Sequence, residues 1–186
     1  MAAAESVNPG LTADCVGALT AYQPDDPAQR RLRDEFIDHL RTRTNGWSRT
    51  CPGAHVTASA IIATPTADQV LLIRHAKLSR WLQTGGHIED ADVSLAEAAL
   101  REAREESGLS DLEPVPGVLH LDRHKLQCGG MPTHHLDVRH LILSHSVGAL
   151  PATPEATDVR WFAAGALPTD EVSVTVLVDL ARHRLT

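Results

Sequence analysis

The stretch GGHIEDADVSLAEAALREAREESGL, Gly85 to Leu109, restricts the fold more than any other part of the chain. Ser94 with Glu97 three residues on is a capping box, and Ser107-Gly108 is a left-handed stop, so the pattern predicts a helix over 94–108. At about 100° per residue, Leu95, Ala98, Ala99, Glu102 and Glu106 share one face, with Glu105 at its margin. Arg101 and Arg104 lie to the other side. The face begins small and apolar, suited to packing on a sheet, and ends in carboxylates. Such acids repel by a few tenths of a kcal/mol per pair even when exposed, and burial raises the cost. Mg2+ reverses the sign, because it takes oxygen ligands from carboxylates, phosphates and water. The competing reading is a solvated acidic face. Glu89, Asp90 and Asp92 in the preceding loop bring more acid to the same place and weigh against it. Gly85-Gly86, after the strand end Trp81–Thr84, offers bare backbone for the close approach of a ligand or of the helix.

Two textures flank this stretch. On the N-terminal side the first dozen residues are small and polar and are expected to fray. A short helix is expected around Cys15 to Tyr22. Asp26-Pro27 then reads as an N-cap with proline in the first turn. Leu32, Phe36, Ile37 and Leu40 follow at helical spacing, and Asn45-Gly46 ends the run. These helices read as a cap packed on the main domain, with a dimerisation arm as the alternative. From Val56 the pattern turns to strands: Val56–Ala63, a turn at Pro65–Asp68, and Val70–Ile73 buried on both faces. Further strands are expected at Gly117–Leu121, His135–Ser144 and Asp158–Phe162. The tail from Asp170 fits both a strand and a helical stripe; Thr169 and Asp170 as N-caps favour helix.

The chain has 186 residues, enough for one well-filled domain and an appendage. A formal charge of −7 disfavours a protein that tracks a nucleic-acid duplex by bulk electrostatics, but allows a small phosphorylated substrate held through metal. No apolar run reaches the length of a membrane span, and the first residues lack a signal-peptide pattern. The three cysteines, Cys15, Cys51 and Cys128, are widely spaced and form neither a disulfide framework nor a zinc-finger pattern. A reducing cytoplasm is the expected setting.

The acidic stretch resembles the Nudix box of the Nudix hydrolases: Gly, five residues, Glu, seven residues, then Arg-Glu-aliphatic-x-Glu-Glu-x-Gly-aliphatic. Its second half stands as Arg101-Glu102-Ala103-Arg104-Glu105-Glu106-Ser107-Gly108-Leu109. Its first half departs, because five residues after Gly86 comes Asp92, and eight residues rather than seven then precede Arg101. The resemblance implies an α/β/α sandwich with a mixed β-sheet, residues 51–186, preceded by an N-terminal helical extension, residues 1–50. It also implies hydrolysis of a nucleoside diphosphate linked to another moiety. Carried over by position, Glu102, Glu105 and Glu106 are metal ligands with the Gly86 carbonyl, for Mg2+ or Mn2+. One of these acids or a neighbour activates water, and Arg101 orients a glutamate.

A second constellation is polar and strand-borne. His120, Asp122 and His124 alternate, so they face one side of a strand, and His134, His135, Asp137 and His140 follow. They are read as ligands for a second metal, as substrate contacts, or as an ordinary polar rim. His135 and Asp137 are the stronger substrate-binding candidates, with His87 at the pocket rim and Asp92 beside it. Cys128-Gly129-Gly130 reads as a mobile loop within the specificity segment Gln127–Thr133. Two other functions compete. Trp47-Ser48-Arg49-Thr50-Cys51 with His55 loosely resembles isopentenyl-diphosphate isomerases, which share this fold and would use Cys51 and a metal-binding His55. The third is a non-catalytic nucleotide-sensing module.

Overall fold

The structure, a computed structural model, describes residues 8–128, 130–147 and 156–186. Two helices come first. α1 (Pro9–Ala21) starts behind Asn8, whose side chain accepts from the Leu11 amide, and α2 (Pro27–Thr42) starts behind Asp26 in the same way. Both place proline in the first turn, where its missing N–H costs nothing. α1 therefore begins earlier than expected, and residues 9–12 are helical rather than frayed. Four strands follow: β1 (Ala54–Ala63), β2 (Gln69–His75), β3 (Trp81–Leu82) and β4 (Thr84–His87). The Gly-Gly pair thus lies inside a strand, not beyond its end.

α3 (Leu95–Ser107) is the acidic helix, capped by Ser94 and closed by Gly108 at φ +71°. Its capping box is offset by one residue: Ser94 accepts from the Glu97 amide, while Glu97 reaches back to the amide of Val93. Next come β5 (Leu112–Pro114), β6 (His120–Cys128), β7 (Met131–Ser144) and β8 (Ala156–Ala163), and α4 (Val172–Leu185) resolves the ambiguous tail as helix. β6 starts later and runs further than expected. Gln127, Cys128 and Met131–Thr133, expected in a loop, lie on the paired strands of a β6–β7 hairpin, with Leu126 opposite Thr133 and Cys128 opposite Met131. Gly129, within the expected mobile loop, lies outside the described residues.

The eight strands form one mixed sheet. Its axis is the parallel pair β1–β7, in register from Ala54 opposite His134 to Ala63 opposite Leu143. Along its other edge β1 meets β4 antiparallel near its start and β2 near its end. Alternation sorts β1 cleanly. Val56, Ala58, Ala60 and Ile62 join the core under α3, together with Leu11, Cys15, Phe36 and Leu40 from α1 and α2. Ile61 and Ala63 face α4 and its Leu177 and Val178. The expected stripe of α2 is thus buried against its own chain. A side-chain latch fixes α2 to the edge strand β6: Gln29 accepts from the Leu121 amide (2.8 Å) and donates to the Leu121 carbonyl (2.9 Å), as a neighbouring strand would. α4 covers only the far half of its face. Nearer β4 that face carries His55, Thr57 and Ser59 in place of a helix-covered apolar surface.

Candidate active site

Helix α3 and strand β4 build the carboxylate half of the site. The helix turns Glu102 and Glu106 inward, leaving them 7% and 4% exposed, with Glu105 outside. Burying two carboxylates is tolerable only if their oxygens are engaged. Glu106 accepts the Gly85 amide at 2.8 Å. Glu102 lies against bare backbone: a Cβ on Gly86 would sit 2.7 Å from its Oε2, and one on Gly85 would sit 2.2 Å from the Ser59 Cβ. Both glycines are therefore steric requirements, each for a different face of the sheet.

Arg101 organises the acids. Nε and one NH2 hydrogen hold Asp92 at 3.0 Å each, and NH2 also donates to the His87 carbonyl at 2.9 Å. NH1 reaches Glu102 at 2.9 Å and Glu105 at 3.2 Å. These five bonds occupy the guanidinium's five donors. The hydrogen bonds to Asp92 first, and then to Glu102, push the Arg101 pKa up, so it stays charged at any working pH. Asp92 also accepts the Glu89 amide and is buried, so its carboxylate is spent within the protein.

The opposite face of β4 is different. Asp137 accepts from the Thr57 hydroxyl (3.0 Å), the Ser59 hydroxyl (2.9 Å) and Arg139 Nε (2.8 Å). Arg139, 2% exposed, also holds Asp122 at 3.0 Å. This network joins β1, β6 and β7. Beside it His55, His87 and His135 converge, with ring centroids 4.8–5.1 Å apart. Burial, then the neighbouring His87, pushes His55 down to about 4, and burial, then His55, pushes His135 down to about 3. Burial also lowers His87. All three are thus neutral imidazoles near pH 7.

The sequence matches the NUDIX domain model over residues 53–177. The chain belongs to the NUDIX family. A comparison with curated proteins finds no match. Among solved structures, this NUDIX chain is similar to the E. coli dihydroneopterin triphosphate pyrophosphohydrolase, at 16% identity and TM-score 0.58, over 69% of this chain and 95% of that one. It is similar to the NUDIX domain of Shewanella oneidensis NrtR, complexed with ADP ribose, at 22% identity and TM-score 0.54, over 74% and 92%. A UDP-X diphosphatase matches at 18% identity and TM-score 0.54, over 93% of this chain and 91% of that one, a span that takes in much of the N-terminal helices. The expected sandwich, with its mixed sheet and flanking helices, is the fold found, and the chain is a hydrolase of the family that acts on diphosphate bonds.

The residues expected from the sequence fall in two groups. Gly86, Arg101, Glu102, Glu105, Glu106 and Asp92 assemble on the α3 side. His135 and Asp137 lie on the other face, and His87 belongs to both, its carbonyl with Arg101 and its ring with the imidazoles. His55, Thr57, Ser59 and Arg139 did not stand out in the sequence as one group. The signal was there in the alternation of His55, Thr57 and Ser59, polar residues at every second position of a strand whose other positions are apolar.

Proposed function

We propose that this chain hydrolyses the diphosphate bond of a nucleoside diphosphate linked to another moiety, with Mg2+ or Mn2+ as cofactor. The observation that carries the reading is the burial of Glu102 against Gly86, with Glu106 beside it bonded to the Gly85 amide of β4. Two inward carboxylates, a third at the rim and a bare carbonyl strand make an oxygen donor set suited to a hard divalent cation. Glu102, Glu105, Glu106 and the Gly86 carbonyl would hold it. When bound, such a cation neutralises charge on the diphosphate oxygens and lowers the pKa of water.

The chain's own residues do the rest. Arg101 fixes Glu102 and Glu105 in one orientation while its charge offsets part of theirs. Asp92 is read as a positioning residue that grips Arg101 bidentately, and Asp137 as its counterpart on Arg139. Glu105, the exposed member, is best placed to accept a proton from solvent water. Residues 51–186 would form the catalytic unit and residues 1–50 a cap over it. Among the similar folds, a UDP-X diphosphatase and a NUDIX domain complexed with ADP ribose support the substrate class.

The test is a panel of nucleoside diphosphate conjugates with Mg2+, scored for nucleoside monophosphate release. Turnover of one class, lost on chelation, is the expected result. Rearrangement without release would install the isomerase reading, and tight binding without turnover the sensing module.

A further inference from the structure

We infer that His55, His87 and His135 form a second metal site, selective for a borderline divalent cation such as Zn2+ and separate from the carboxylates. The register of the sheet makes the cluster. His55 on β1 stands directly opposite His135 on β7, and β4 places His87 opposite Thr57, one alternation along the same face. One ligand nitrogen from each ring lies within 4.8 Å of the other two. A tetrahedron with Zn–N bonds of 2.0–2.1 Å has edges of about 3.3 Å, so modest rotation of the rings closes the set.

The chemistry of the donors selects the ion. All three are imidazole nitrogens with no carboxylate among them, a set that suits Zn2+, Ni2+ or Co2+ and does not suit Mg2+. His55 is 1% exposed with the Cys51 backbone beside its ring, and Nε2 of His135 is buried without a hydrogen-bond partner. Native structures rarely leave such an atom without a water or a ligand. A fourth histidine flanks the cluster. The His124 ring is 5.3 Å from that of His135, and Asp122 holds its Nδ1 at 2.8 Å. That carboxylate–imidazole pairing fixes the ring and its tautomer, as outer carboxylates do for metal-ligating histidines. Three protein ligands, two of them only half-buried, would leave a coordination position for an exogenous oxygen.

The site is distinct from the carboxylates. Gly86 faces α3 and Glu102, so the next residue on the strand, His87, sends its ring to the other face. Hard and borderline cations would thus occupy opposite faces of β4, joined by one residue of backbone.

The test uses the full chain after exhaustive chelation, with Co2+ as the spectroscopic probe. The expected result is one Co2+ per chain with the intense visible bands of low-coordinate nitrogen ligation. Zn2+ should displace it, and a large excess of Mg2+ should not. His87→Gln and His135→Gln, each checked for native circular dichroism, should weaken binding by about a hundredfold, while Glu106→Gln should leave it within about twofold. His87 is only half-buried, so its variant remains informative should the one at His135 misfold. Three results would overturn the inference: no such bands in the wild-type chain, unchanged affinity in the folded histidine variants, or loss in Glu106→Gln equal to theirs.

Discussion

On the α3 side of β4 the polar groups are rich in oxygen and tied to one arginine; on the other side, next to the Asp137–Arg139 pair, stand three neutral imidazole rings. Both regions gather groups that would be costly to bury alone, and they solve the problem differently. The buried carboxylates are met by Arg101 and by the Gly85 amide. The imidazoles stay unprotonated because burial and their mutual proximity penalise charge. Adjacent positions of one strand can therefore serve opposite chemistries, since alternation sends neighbouring residues to different faces.

The largest effect should come from Glu106→Gln, which removes one charge and keeps the shape. Turnover should fall about a hundredfold or more with no loss of thermal stability. Steady-state rates with Mg2+ test this, and near wild-type turnover would dissolve the distinction between the two faces.

Arg101→Met comes next. It leaves Asp92 buried beside Glu102 with no cation, a defect that costs about 3 kcal/mol or more. His87→Gln, which keeps the carbonyl that Arg101 grips and changes only the side chain on the other face, should cost far less in the metal-free protein. Denaturant midpoints compare the two, and equal losses would show that Arg101 does not organise its side.

The imidazole face predicts acid sensitivity. In the unfolded chain His55 and His135 titrate near pH 6.5, about their ordinary value. In the folded protein they titrate near 4 and 3. The unfolded state therefore binds more protons between these limits. Stability is fully present above about pH 6.5 and is lost as pH falls through the folded values. In metal-free protein, urea midpoints should already drop between pH 6.5 and 5, above the range where carboxylates titrate. A flat profile there would mean that the rings are hydrated, not buried.

The smallest effect concerns the α2 latch. Gln29→Ala strips both edge bonds from Leu121 and should cost about 1–2 kcal/mol, leaving the metal chemistry of either face intact. Hydrogen exchange at the Leu121 amide reads it directly, and unchanged protection would show that water replaces the latch.

These regions were not equally legible in the sequence. The carboxylate helix is a local object, and its caps, its apolar face and its inward acids all follow from spacing within one turn or two. The imidazole cluster is assembled by a long-range parallel pairing. Nothing near His55 in the chain says that His135 will lie opposite it, so His55 entered only through a loose likeness to isomerases. Arg139 was hidden for the same reason, because Asp122 and the Ser173 carbonyl reach it from β6 and α4. The start of α1 is a different kind of miss. Asn8-Pro9 carries the same cap-and-proline signal as Asp26-Pro27, but small polar surroundings masked it. In β4 the glycines looked like a strand's end because steric need, unlike hydrophobic need, leaves no periodic trace.

The most direct measurement is the fate of solvent oxygen. Wild-type chain and Glu106→Gln are incubated with Mg2+ and a turned-over nucleoside diphosphate conjugate in heavy-oxygen water, and the products are weighed by mass spectrometry. Hydrolysis at the carboxylates predicts a nucleoside monophosphate and a phosphorylated partner, with one heavy oxygen on one of the new phosphates. Glu106→Gln should slow its appearance about a hundredfold. Unlabelled products, an isomer of unchanged mass, or equal rates from both proteins would contradict it.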